Sequence, residues 1–244
     1  MVSDILTILW KEVHEMFSRR PGFRGGWFGM LVFVVVFGAL IPAQSGPEWI
    51  NSPGTVLVWA WVPFILVNSV VADAFAGERE RHTLETLLAS RLSDRAILIG
   101  KLSASIVYGW GLTLVSVLVS LVTVNLLYGD GKLLLFSPSI ALGILVASFL
   151  VAALAAGLGV LVSLHASSVR QAQQTLSIAM FAVIIPLIAL PLLPEAWRQQ
   201  IDLFFMKSDM LSIAIGALFV LLVADGILLA AAIARFQRAR LILD

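Results

Sequence analysis

Residues that could do covalent or acid–base chemistry are sparse here, and their spacing excludes more than it offers. The three histidines, His14, His82 and His165, are isolated from one another, and no HExxH or other ligand spacing appears. There are no cysteines, which excludes disulfides, thiol nucleophiles and thiolate-held metal. No GxSxG elbow marks an acyl hydrolase, and no GxxxxGK(S/T) loop is present to cradle phosphates. The nearest fragment, Gly129-Asp130-Gly131-Lys132, lacks that spacing and reads as a turn. Gly157-Leu158-Gly159 lacks the third glycine and the preceding strand of a dinucleotide fingerprint, so it reads as helix packing. No catalytic, cofactor or metal site is therefore expected in this chain.

Two polar features remain. One is Asp225, a single carboxylate within an apolar run. The other is the stretch DAFAGERERHTLETLLASRLSDRAILIGK from Asp73 to Lys101, the one long polar segment between two apolar ones. Its charges are Asp73, Glu78, Arg79, Glu80, Arg81, Glu85, Arg91, Asp94, Arg95 and Lys101. The Glu, Arg, Leu and Ala content of Glu78 to Ala89 predicts a helix. Leu84, Leu87 and Leu88 then form an apolar stripe at i, i+3, i+4, surrounded by Glu80, Arg81 and Glu85. Such a helix either docks into a cleft on a soluble protein or lies on the inner membrane surface. The pattern fits both.

The elements that must hold this segment are membrane helices. The 244-residue chain is 60% hydrophobic and 13% charged, with a mean hydropathy of +1.00, where a soluble domain carries roughly 25% charged residues. A net charge of +1 without a basic run gives no footing for nucleic acid. Six apolar segments are each long enough to span, at roughly 20 residues: Trp27 to Ala43, Thr55 to Ala72, Ile97 to Leu127, Ser139 to Leu164, Thr175 to Leu193 and Leu211 to Ala234. They must be helical, because backbone groups facing lipid find no water. The third is the longest, and Ser93 should cap it as its first turn stands in the cytoplasm.

Before the first span, Ser3 to Ser18 reads as an amphipathic helix with Ile5, Leu9, Val13 and Met16 or Phe17 on one face. Lys11, Glu12, His14 and Glu15 fall elsewhere around it, and residues 1–24 are expected to lie in the membrane interface. These charges leave no cleavable-signal pattern, so the segment is expected to be retained. With the N-terminus inside, thirteen of the sixteen Lys and Arg fall on inner segments; only Lys132, Arg198 and Lys207 fall outside. The positive-inside rule thus sets both termini in the cytoplasm of a multi-pass cell-membrane protein. The outer turns should be short, the third holding a helix from Glu195 to Phe205. In the fourth span, Ala152/Ala156, Ala153/Gly157 and Ala155/Gly159 are small-xxx-small pairs that permit close helix approach, within the chain or between subunits. The whole reads as one domain, 1–244.

Asp225 lies ten residues before Arg235, about 15 Å from the inner boundary, near the middle of a core about 30 Å thick. No Lys or Arg is expected at that depth. It should be neutral or hydrogen-bonded to Ser116, Ser120 or Ser148 on another span, serving either a structural bond or the transport pathway.

Glu80-Arg81-His82-Thr83-Leu84-Glu85-Thr86-Leu87-Leu88, followed by Ser93 and by Gly100-Lys101, resembles the signature of ABC type-2 transporter permeases. That signature runs E-R/K-x-G-T-L-E-x-L-L, a short Pro-containing turn, then G-K opening the next span. His82 stands where glycine is usual and Arg91 where proline is common. The N-terminal helix with Lys11-Glu12, the Ser168-Val169-Arg170-Gln171-Ala172 turn and the tail Arg235-Phe236-Gln237-Arg238 are also similar to that family. The resemblance implies an export complex of two permeases, identical or not, with two ATPase subunits that hold ATP and Mg. It also implies a cytoplasmic coupling segment at 73–96, with Glu80, Arg81, Thr83, Leu84, Glu85, Leu87 and Leu88 contacting the ATPase. The alternative is a stand-alone secondary transporter or channel using Asp225.

Overall fold

The computed structural model describes residues 2–18, 23–81, 83, 91–189, 192–207 and 209–236. Helix α1 is Val2–Ser18. Helix α2, Phe23–Val35, runs through a π-helical turn, Val36–Leu40, into α3, Ile41–Ser45. After the short α4, Glu48–Asn51, comes α5, Gly54–Ala72, with buried Pro63 inside it. A second π-helical turn, Asp73–Gly77, leads into α6, Glu78–Glu80. Then follow α7, Asp94–Tyr128; α8, Pro138–Ser163; α9, Val169–Ala189; α10, Glu195–Lys207; and α11, Met210–Arg235. No strand occurs among the described residues.

Among the described residues, five helical stretches are long and apolar enough to cross a membrane: Phe28–Ser45, Gly54–Glu80, Asp94–Tyr128, Pro138–Ser163 and Leu211–Arg235. The expected span at Thr175 to Leu193 is helical through Ala189, but it is not among these five. Within that range 190–191 lie outside the described residues. At the start of α7, Ser93 Oγ accepts the Ala96 N–H at 3.3 Å, the expected cap.

Helix α8 is the centre of the bundle, packed against α5, α11 and α7. Its small residues explain this. Ala152, Ala155 and Ala156 are buried; Gly159 faces Val71 of α5, and Gly157 faces Leu228 of α11. The small-residue pairs therefore serve packing within the chain. A second cluster around Trp49, Trp59, Ile140 and Ile144 fills the opposite end. There, Asn125 clamps the turn after α7: its Nδ2 donates to Leu134 O at 2.8 Å and its Oδ1 accepts from Leu134 N–H at 2.7 Å. The outer bundle surface stays apolar, with Leu57, Leu118 and Leu126 exposed by 76%, 63% and 80%, as lipid-facing positions require.

Helix α1 corrects one expectation. Its buried line is Ile8 and Glu12, with Ile5 packed beside them, rather than the Ile5-Leu9-Val13 stripe. Glu12, expected apart from the apolar positions, is 7% exposed. The reason lies in the facing helix.

Candidate functional site

The α5 helix does not stop with its apolar residues. It continues through the π turn to Glu80 and leaves helical geometry at Arg81, φ −88° and ψ 0°. Four consecutive charges at this end have four different partners. Glu78 Oε1 accepts from Lys101 Nζ at 2.6 Å, and Arg79 Nη1 donates to the Ala166 carbonyl at 3.4 Å. Glu80 Oε2 accepts the Val169 N–H at 3.1 Å, capping the first turn of α9. Arg81 pairs with Asp73 across the π turn at 2.6 Å.

Lys101 is the least expected member. It is 1% exposed, and its ammonium spends its three protons on Glu78, Glu12 at 2.9 Å and the Ala74 carbonyl at 3.1 Å. A lone buried ammonium would cost several kcal/mol; three acceptors offset that. Its partners come from three pieces of chain: α1, the π turn and α6. The preceding residue makes the approach possible. A Cβ at Gly100 would lie 2.7 Å from Ile8 Cβ and 3.3 Å from the Ile5 carbonyl, so α1 crosses α7 at a point only glycine admits. Glu12 is buried because Lys101 is.

Among the described residues the helix expected from Glu78 to Ala89 is interrupted after Glu80, and 82 and 84–89 lie outside the described residues. Glu78–Glu80 is the last turn of the α5 helix, and Thr83 is non-helical, its N–H bonded to Glu78 O at 2.9 Å. The break follows from the four partners of 78–81, three of them distant in sequence, which hold this turn against the bundle. Glu80, Arg81 and Thr83 sit exposed at the basic end of the bundle. Leu84, Glu85, Leu87, Leu88 and His82 lie outside the described residues.

A family description, ABC-2 type transporter, matches residues 3–201. The chain belongs to that family. No curated protein matches it. It is thus a membrane permease of an ABC transporter, a transport component rather than a catalyst, and a multi-pass membrane protein.

In this ABC-2 permease Asp225 falls on the seam that α11 lays against the bundle. Leu221, Leu228 and Ala232 on the same face pack inward. Both Asp225 carboxylate oxygens are buried without a hydrogen-bond partner among the described residues. The serines expected to serve it are engaged elsewhere. Ser116 donates to Leu112 O and Ser120 to Val117 O, while Ser148 donates to Leu145 O and accepts from Trp110 Nε1. The other histidines have local tasks. His14 stacks on Trp10 at 5.2 Å, and His165 bridges Leu161 O and Arg235 at the ends of α8 and α11.

Proposed function

We propose that this permease pairs with a second permease, identical or not, to form an export pathway driven by ABC ATPase subunits that hold ATP and Mg. The observation that carries the reading is the anchoring of segment 73–96. Its start is bonded to three neighbouring pieces of chain through Glu78, Arg79 and Glu80, and its end is capped by Ser93. A segment fixed at both ends passes on a force applied between them instead of absorbing it. In this reading Leu84, Leu87 and Leu88 enter a cleft on the ATPase, Glu85 faces a cation there, and Glu80, Arg81 and Thr83 line the rim.

Six spans cross the cell membrane, the fifth within Thr175 to Leu193, and both termini are cytoplasmic. Helix α1 lies at the inner interface. Val2, Leu6 and Trp10 recur at i, i+4, i+8 and are 68%, 58% and 68% exposed on the side away from Ile8, a stripe suited to the headgroup–acyl boundary.

The test is co-purification with the candidate ATPase. Leu84→Asp places an unpaired charge in the contact and should abolish binding, at a cost of several kcal/mol, while the variant still inserts. Unchanged assembly with Leu84→Asp rejects the contact. Because the chain has no cysteine, a single cysteine at Ser90 reads topology directly; labelling from outside intact cells rejects the orientation. The unpartnered Asp225 favours a second reading, a transporter working without an ATPase, which predicts transport by the isolated chain that Asp225→Asn abolishes.

A further inference from the structure

We propose that Lys101 is a positioning residue, the pin that joins α1 to the coupling segment, so that displacement of the segment by an ATPase is delivered to the interfacial helix. The proposal rests on the ATPase contact argued above and deepens it. Among the described residues one atom, Lys101 Nζ, holds Glu78 of α6 and Glu12 of α1 at once. Glu78 is the first residue of the final turn before Arg81 and Thr83, and Thr83 is bonded back to its carbonyl. Any shift of that turn therefore moves Glu78.

The pin is one-sided by design of its charges. Two carboxylates share one buried ammonium, and the second Glu78 oxygen is buried without a partner among the described residues. Removing Lys101 leaves Glu12 and Glu78, whose side chains are 9% and 15% exposed, facing each other without their cation, so their attraction through it becomes repulsion. The pair then separates rather than relaxing. Lys11, 3.8 Å from Glu12 and half exposed, is too far out to replace the lost bond. Packing of Ile8 on Gly100 holds α1 to α7. Thus the glycine sets the crossing of α1 on α7, and the lysine beside it makes the crossing answer to the coupling segment.

Hydrogen exchange on the reconstituted complex in nanodiscs tests this. Trapping with ADP and vanadate should change exchange in residues 73–83 and in α1 together. In Lys101→Met, α1 exchange should rise by at least ~10-fold, the loss expected for bonds to a charged group, and should no longer respond to trapping, while 73–83 still does. A variant carrying Lys101→Met, Glu12→Gln and Glu78→Gln removes the repulsion. It should regain slow α1 exchange yet still lack the response to nucleotide, which separates transmission from mere stability. A response of α1 that survives in either variant, or that is absent in the wild type, overturns the proposal. If no ATPase binds, the ATPase reading fails by itself. The pin is then judged on the permease alone: α1 exchange unaltered by Lys101→Met overturns it, and accelerated exchange supports it.

Discussion

Replacing Gly159 by alanine measures how tightly the central helix is set against α5. A Cβ at Gly159 would lie 2.6 Å from Val71 Cγ1 and 3.0 Å from Val71 Cβ, whereas carbon atoms in good contact stand about 3.5–4.0 Å apart. The helices must therefore move apart by about 1 Å, or Val71, which is fully buried, must leave its rotamer. Overpacking of this kind costs about 1–3 kcal/mol, offset by the ~1 kcal/mol that alanine gains over glycine in a helix. Gly226→Ala isolates the second effect, because nothing lies within 4 Å of a Cβ there. Thermal unfolding in nanodiscs should rank Gly226→Ala above Gly159→Ala by about 1–3 kcal/mol, the packing contribution alone. Adding Val71→Ala to Gly159→Ala vacates the space the new methyl needs, so the pair should couple favourably by roughly 1 kcal/mol or more. Equal stability of the two alanine variants, or no coupling with Val71, would refute the close approach.

Asp225→Leu should raise thermal stability, since the described residues offer no bond to lose and its face packs among Leu221, Leu228 and Ala232; a fall in stability would mean that a group outside them, in this chain, another subunit or the cargo, holds the carboxylate. Asn125→Ala removes the clamp on Leu134 and should speed amide exchange of the turn after α7, at a cost of about 1–3 kcal/mol for the polar groups left unpaired, with α5 and α8 unaffected. Arg81→Ala should change stability by only about 0–1 kcal/mol, because the Arg81 side chain is 62% exposed although its pair with Asp73 is short; a larger loss in unfolding measurements would show that the π turn depends on it.

The helical spans were legible because lipid forces a simple code: a run of about 20 apolar residues has one backbone solution. Ser93 as a cap followed from an equally local rule, whereas the small residues of α8 fitted packing within the chain and between subunits alike until Val71 and Leu228 were seen against Gly159 and Gly157. The burial of Glu12 was not legible from α1 itself, whose pattern only set it apart from Ile5, Leu9 and Val13; the facing cation draws it inward. The signal was nevertheless present. Lys101 sits inside Ile97-Leu98-Ile99-Gly100-Lys101-Leu102, where a cation must find an anion. The break at Arg81 was not legible, because residues 78 to 81 score as helix formers and their partners lie near positions 101, 166 and 169.

The five-residue turn at Asp73–Gly77 acts as a phase shift. A π turn holds one residue more than the α-helix it interrupts, and one residue turns a helix by about 100°. Everything after it is thus re-addressed by more than a quarter of a revolution without lengthening a loop. Glu78 points to Lys101 and Glu80 to the start of α9 only in that phase. Deleting one of Ala74, Phe75 or Ala76 would leave hydropathy, charge and motif untouched, and would send all four charges to the wrong neighbours. For relatives of this chain, a gap of one residue at this point is therefore a rewiring of the basic end, not a trimmed loop.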